Sequence, residues 1–338
     1  MNEEGSKTNS RITIQDIADD LGISKTTVSR AISGKGRISQ ETREKVLEYI
    51  AEYDYHPSPL AKGLANQKTY NIAWVMPGNS SWTDLPFFQS CMTGIVEVAS
   101  SEDYDVIITV VYEKDISALQ RIIQNRKVDG VVLGRTLIDD DNVRFLTQSQ
   151  IPFVVIGSTD EPGVVQIDND HVSACKEITD ILIMKGARRL MLIGGAESHI
   201  VNRDRKKGYE AAIKEMAHLD ISSRIAMNAN DVPTVNRLVE EALRDKVECI
   251  ICTDDRICTQ VLEKLHHDGI EVPGQIKVAS FYDSEILDNN QPTVTTLKYD
   301  PKELGKEACR QLMKLLQGKD ATPKTYLNYE VLLRGSTK

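Results

Sequence analysis

Between residues 24 and 45 the chain concentrates basic and hydroxyl side chains in an otherwise acidic protein. Six basic residues and two acidic ones give this segment a local charge of +4, whereas the whole 338-residue chain carries a net charge of −9. Lys25, Thr26, Ser29 and Arg30 recur at helical spacing, so we expect them to share one exposed helix face. Such side chains donate hydrogen bonds to phosphates and to base edges. The segment is therefore predicted to bind DNA.

The rest of the chain has no pattern typical of an active site or a metal site. It contains no phosphate-binding glycine loop, no HExxH and no GxSxG. The two cysteines of Cys249-Ile-Ile-Cys252 lie three apart in a predicted strand and point to opposite faces. His266 and His267 are adjacent on a predicted helix and diverge by about 100°. We predict no enzymatic activity, no cofactor and no metal.

The basic segment lies within three short predicted helices. Thr13 and Ser24 each precede an amphipathic stretch, which is typical of N-cap residues. Ala18 and Gly22 stand at positions 5 and 9 of a twenty-residue helix-turn-helix pattern. A small residue lets the two helices cross closely, and glycine adopts the positive φ of the turn. The sequence predicts a helix-turn-helix domain over residues 11–56, preceded by a disordered tail over 1–10.

Residues 57–69 are predicted to form a linker with one short helix that forms only against a partner, since isolated two-turn helices are marginal in water.

From residue 70 onward, apolar runs alternate with amphipathic stretches. This pattern is typical of doubly wound parallel α/β sheets covered on both faces. We expect two lobes with a ligand cleft between them. The predicted N-lobe comprises residues 70–158 and 288–321, and the predicted C-lobe comprises 159–287 and 322–338.

Composition indicates the compartment. With 41% hydrophobic and 27% charged residues the chain is expected to be globular, and no 18-residue apolar run could span a bilayer. The six cysteines are scattered, and no secretory signal precedes them, which favours free thiols. We predict a cytoplasmic protein without a membrane partner.

Several motifs resemble the LacI/GalR family of bacterial transcription regulators. In chain order they are Ile12-Thr13-Ile14-Gln15-Asp16-Ile17-Ala18, Ser24-Lys25-Thr26-Thr27-Val28-Ser29-Arg30, Tyr55-His56-Pro57, Leu85-Pro86-Phe87-Phe88, Val128-Asp129-Gly130, Arg205-Lys206-Lys207-Gly208-Tyr209, Thr253-Asp254-Asp255 and Pro292-Thr293-Val294-Thr295-Thr296-Leu297. Their shared order across the whole chain makes the resemblance specific.

The resemblance implies a dimeric bacterial repressor that binds palindromic operator DNA and is therefore located at the nucleoid. Lys25, Thr26 and Arg30 stand at base-reading positions, and Leu64 matches a leucine that wedges into the minor groove. The full set of candidate DNA-binding residues is Thr13, Ser24, Lys25, Thr26, Thr27, Ser29, Arg30, Arg43 and Leu64.

The resemblance also implies a type I periplasmic-binding-protein core whose cleft takes a small effector. The candidate effector-binding residues are Phe87, Phe88, Arg135, Arg205, Asp254 and Asp283. Guanidinium donors, carboxylate acceptors and an aromatic wall suit a polyhydroxylated ligand, which favours a sugar over a purine or a sugar phosphate. The alternative function is a cytoplasmic sugar- or purine-binding protein that acts through protein contacts rather than through DNA.

Overall fold

A computed structural model describes residues 12–34, 36–53, 55, 63, 66–78 and 85–338 of the chain. It divides into two compact units, Met1–Thr69 and Tyr70–Lys338. Most of the predicted linker helix, including Leu64, lies outside the described residues, as does the predicted N-terminal tail.

The first unit contains three helices: α1 (Ile14–Asp20), α2 (Lys25–Ser33) and α3 (Gln40–Glu52). The side chains of Thr13, Ser24 and Ser39 accept backbone N–H groups at the three N-termini, as the sequence predicts for Thr13 and Ser24. Gly22 has φ +64°, the left-handed conformation that the turn requires. The helices close on a small apolar core formed by Ile17, Ala18, Val28, Ala31, Val46 and Tyr55.

The second unit contains two six-stranded sheets. The N-lobe sheet has the order β11-β5-β4-β3-β1-β2, and the C-lobe sheet has the order β12-β10-β9-β8-β6-β7. All pairs are parallel except β10 with β12. Strands of the N-lobe sheet are β1 (Asn71–Pro77), β2 (Asp105–Val111), β3 (Gly130–Leu133), β4 (Phe153–Ile156), β5 (Val165–Asn169) and β11 (Lys324–Leu327). Those of the C-lobe sheet are β6 (Arg189–Ile193), β7 (Ser222–Ala226), β8 (Cys249–Cys252), β9 (Lys277–Ser280), β10 (Thr295–Lys298) and β12 (Glu330–Leu332).

Helices cover both sheets, because their central strands are apolar on both faces; every residue of β3 and of β8 is buried. The helices of this unit are α4 (Leu85–Ser101), α5 (Ser117–Gln124), α6 (Asp141–Ser149), α7 (His171–Met184), α8 (Ile200–Glu215), α9 (Val232–Arg244), α10 (Asp255–His267), α11 (Glu285–Asp288) and α12 (Pro301–Leu316). The six cysteines are buried free thiols. Over the described residues, no helix has the length and apolarity needed to cross a bilayer.

The predicted lobe division was wrong at the three points where the chain crosses between sheets. β5 and β11 pair with each other in the N-lobe sheet, whereas β10 belongs to the C-lobe sheet. The crossings therefore follow Asn169, Lys298 and Leu327. The first lobe therefore extends beyond the predicted boundary at residue 158 to include β5, whose residues Val165 and Ile167 pack into the N-lobe core.

Candidate functional site

Helix α2 presents a polar face to solvent. Val28 and Ala31 are buried, while Lys25, Thr26, Ser29 and Arg30 are exposed. This separation follows the predicted helical periodicity and leaves the ammonium, hydroxyl and guanidinium groups accessible. A helix with this polar face can enter a groove of DNA.

Three of the candidate hydroxyl residues form local hydrogen bonds that fix helix ends. Ser24 Oγ accepts the N–H of Thr27 at 3.1 Å and lies 2.8 Å from Thr27 Oγ1. Thr13 Oγ1 donates to Asp16 Oδ2 at 2.7 Å, and the backbone N–H of Thr13 donates to the same oxygen at 2.7 Å. These two bonds hold the pKa of the Asp16 carboxyl below its usual value. Thr13, Ser24 and Thr27 therefore position α1 and α2.

The two candidate arginines of the head differ in their surroundings. Arg30 projects from α2, and its aliphatic stem lies against Gly36, where a β-carbon would be only 3.0 Å from Arg30 Cδ. Arg43 lies half-buried on α3, and its Nε atom is buried without a hydrogen-bond partner in the described part of the chain. A buried guanidinium nitrogen without a partner is a donor that a phosphate can satisfy.

The two lobes of the second unit enclose a cleft. It has an empty volume of about 830 Å³, which includes open solvent at its mouth. Its lining includes five of the six predicted effector residues, namely Phe87, Phe88, Arg135, Arg205 and Asp254. These five are among the seventeen residues that line the cleft.

Arg205 is the most constrained cation of this cleft. Helix α8 carries it, and its side chain is 7% exposed. Nη1 donates to the carbonyl of Thr253 at 2.7 Å, and the guanidinium carbon lies 6.0 Å from the Tyr282 ring centroid. The buried Nε has no hydrogen-bond partner among the described residues. Since desolvating a donor without a partner is costly, this nitrogen is available to donate to a ligand oxygen.

The predicted role of Asp283 was wrong, because this residue does not line the cleft. Its carboxylate forms an ion pair with Arg334, at 2.6 Å from Oδ1 to Nη1, and accepts the Thr296 hydroxyl at 2.7 Å. Tyr282, one position earlier, lines the cleft instead. Asp283 thus anchors the C-terminal segment to the C-lobe.

Four aromatic rings form the apolar part of the cleft. Phe87 contacts Tyr282 from the opposite lobe at a centroid distance of 6.2 Å, and Tyr282 stacks on Tyr299 at 6.3 Å. Phe88 is buried beside Trp74, with the Arg135 guanidinium 5.4 Å from its ring centroid. Phe87 therefore contributes mainly to the wall of the cleft, whereas Phe88 packs mainly in the N-lobe core.

A buried polar network at the cleft was missed by the sequence analysis. Nε2 of His171 lies 3.3 Å from Asp168 Oδ1, and Nδ1 lies 3.3 Å from the Tyr299 hydroxyl. Burial opposes ionisation of Asp168, but the charge of His171 and hydrogen bonds from His171, Ser158 and the Asn169 N–H outweigh it, so the Asp168 pKa is lowered. The available signal was Asp168-Asn169 at the carboxyl end of a parallel strand.

Comparison with known proteins gives two family matches. Residues 13–58 match the lacI family of bacterial regulatory proteins, and residues 179–337 match the periplasmic binding protein-like domain. The chain is 29% identical over 300 residues to the HTH-type transcriptional regulator MalR of Streptococcus pneumoniae, covering 85% of this chain and 92% of MalR. It is 26% identical over 333 residues to catabolite control protein A of Staphylococcus xylosus, covering 97% and 99%.

Two solved structures share this fold. The Lac repressor dimer bound to operator and to the anti-inducer ONPF matches with a TM-score of 0.80 and 21% identity, covering 97% of this chain and 99% of that one. The transcriptional regulator CelR in complex with cellobiose matches with a TM-score of 0.70 and 23% identity, covering 96% and 100%.

Proposed function

This chain belongs to the LacI family of bacterial transcription regulators, and we propose that it represses transcription from a palindromic operator under the control of a sugar. Its relatives are regulators rather than enzymes. The observation that carries the proposal is the presence, in one chain, of a polar recognition face on α2 and a cleft with the buried Arg205.

The cleft chemistry supports a neutral polyol as effector. Arg135 and Arg205 supply donors, whereas Asp168, Asp254 and Asp255 supply acceptors. Carboxylates in the wall repel an anionic ligand, which disfavours a sugar phosphate. Aromatic rings provide a flat apolar surface for the C–H face of a sugar ring. The likeness to a regulator solved with cellobiose agrees with this ligand class.

An apolar stripe on the N-lobe supports a dimer. β2 is an edge strand, and its residues Ile108 and Val110 are 53% and 42% exposed. Tyr112, which follows the strand directly, is 53% exposed. Alternate apolar residues on an exposed edge strand are a surface that needs cover. A second copy of this chain would bury the same stripe in a two-fold contact and hold two heads together.

The alternative of a sugar-binding protein that acts through protein contacts leaves the polar face of α2 without a role.

As a DNA-binding regulator, the protein acts in the bacterial cytoplasm at the nucleoid.

The test is a thermal-shift screen of the full chain against sugars, sugar phosphates and purines, followed by DNA-binding measurements with each ligand that binds. A ligand at a hundred times its Kd stabilises the native state by about 2.7 kcal/mol. A sugar that raises the melting temperature and changes operator affinity supports the proposal. A sugar that binds without changing operator affinity supports the alternative function, and stabilisation by purines alone contradicts the sugar assignment.

A further inference from the structure

The cleft has two compartments that meet at a junction formed by shared lining residues. The inner compartment holds Phe87, Tyr282 and Tyr299, and the outer compartment has an empty volume of about 1290 Å³ including open solvent. The two share the residues Arg135, Val201, Arg205 and Asp254. A ligand that passes this junction therefore contacts both compartments.

The inner compartment suits one sugar ring. Its aromatic walls come from both lobes, since Phe87 on α4 faces Tyr282 behind β9. The Asp168–His171–Tyr299 network supplies its polar edge. Aromatic surface combined with a few fixed polar groups is the usual arrangement for holding and orienting a small ligand.

The outer compartment is mostly polar. It is lined by Glu113, Asn202, Asn228, Asn230 and Arg256, in addition to the residues of the junction. Arg256 donates from Nη1 to the Asn230 carbonyl and from Nη2 to the Ala229 carbonyl, each at 3.3 Å. A guanidinium carries five N–H donors, so this arginine can hold the loop and still donate to a ligand. Amide, carboxylate and guanidinium groups together can donate hydrogen bonds to the hydroxyl groups of a ligand and accept hydrogen bonds from them.

Both lobes contribute to the outer compartment and are joined beside it. The N–H of Ile138 in the N-lobe donates to the carbonyl of Ser198 in the C-lobe at 2.8 Å, and the N–H of Ile200 donates to Thr136 at 3.4 Å. Glu113 projects from the N-lobe toward His199 of the C-lobe, with 3.5 Å between Oε1 and Nε2. A ligand unit in this compartment would therefore touch both lobes.

We propose that the effector is a neutral oligosaccharide of at least two units. One ring lies among the inner aromatic residues, the linkage passes Arg205, and the second ring hydrogen-bonds to Asn230 and Glu113. This inference rests on the proposed function, because it specifies the size of the sugar bound in the same cleft.

The test is isothermal titration calorimetry of the full chain with glucose, maltose, cellobiose and maltotriose. We expect at least one disaccharide to bind about tenfold or more tightly than glucose, as one or two added hydrogen bonds would give. Asn230→Ala and Glu113→Ala should remove most of this gain and leave the affinity for glucose unchanged. Asn289→Ala, at another exposed asparagine of the C-lobe, is the matched control and should bind as the unaltered chain does.

The outcomes separate the two levels of the proposal. Equal affinities for glucose and both disaccharides would overturn the two-unit ligand while leaving a sugar effector in place. An unchanged disaccharide preference in both Asn230→Ala and Glu113→Ala would overturn the assignment of the outer compartment. Failure of all four sugars to bind, with a purine binding instead, would overturn the sugar effector and the two-unit ligand together.

Discussion

At the scale of single residues, Arg205 dominates the chemistry of the cleft. We predict that Arg205→Met weakens effector binding by about 1.5–3 kcal/mol, roughly 10- to 150-fold, because a charge-assisted hydrogen bond to the ligand is lost. Methionine fills a similar volume, so the fold should persist. Calorimetry with the effector measures the change. Arg189→Met removes an arginine at the first residue of β6 that pairs with Glu248, and it should leave the affinity unaltered because Arg189 does not line the cleft. Equal losses in both variants would contradict the role of Arg205.

Asp283 gives the opposite prediction. Asp283→Ala should lower the free energy of unfolding by about 2–3 kcal/mol, because it leaves the largely buried Arg334 guanidinium with only the exposed Asp288 as a carboxylate partner. Effector affinity should not change. Urea denaturation and calorimetry measure the two quantities. A variant of normal stability that no longer binds effector would contradict this prediction and indicate that Asp283 contacts the effector.

The error at Asp283 has a physical explanation. The sequence correctly places Tyr282 and Asp283 just beyond a strand of the C-lobe sheet, where ligands bind in doubly wound folds. Tyr282 lines the cleft whereas Asp283 pairs with Arg334, so a shift of one position exchanges the ligand site for a structural ion pair. Pattern alone does not show which of the two faces the cleft, because the answer depends on the partner Arg334, 51 residues later.

At the scale of elements, α2 and α3 are expected to contribute differently to DNA binding. Arg30→Ala should relax base preference, because Arg30 lies exposed on α2, where a guanidinium reaches base edges. Arg43→Ala should weaken binding to all sequences alike and lower the salt slope by about 1, as loss of a phosphate contact does. Fluorescence anisotropy over a set of operator variants at several salt concentrations measures both effects. Uniform weakening by Arg30→Ala would contradict its role as a base reader.

Most buried strands could be predicted, and most edge strands could not. The three head helices and the buried strands follow from capping residues and continuous apolar runs. β7, β11 and β12 were missed because they lie at sheet edges, with half-exposed or exposed residues. The inner strand β10 was also missed, because two of its four residues are threonines and it has no continuous apolar run. Edge strands lack the two-sided burial that makes an apolar run recognisable.

At the scale of the whole molecule, the chain crosses between the two lobes at points that local sequence patterns do not predict. Because of the crossings after Lys298 and Leu327, β11 lies in the N-lobe sheet although its neighbours in sequence, β10 and β12, both belong to the C-lobe sheet. Pairing over more than 150 residues, such as β11 with β5, is decided by packing of the complete core.

The exposed stripe of β2 predicts the assembly. Val110→Lys should convert the dimer into monomers. The two-fold symmetry would bring the ammonium groups of both copies together in an apolar contact, where burial and like-charge repulsion are both unfavourable. Sedimentation measures the mass, and DNA affinity should fall because the two heads no longer bind together. Val232→Lys, at a similarly exposed valine of α9, is the control. A dimeric Val110→Lys variant would place the interface elsewhere.

The most direct test of the account is selection of bound sequences from random duplex DNA by the full 338-residue protein. We predict enrichment of one palindrome whose half-sites are spaced for two recognition helices in successive major grooves, about one helical turn apart. Enrichment of no sequence, or of a site without two-fold symmetry, would contradict a dimeric operator-binding regulator.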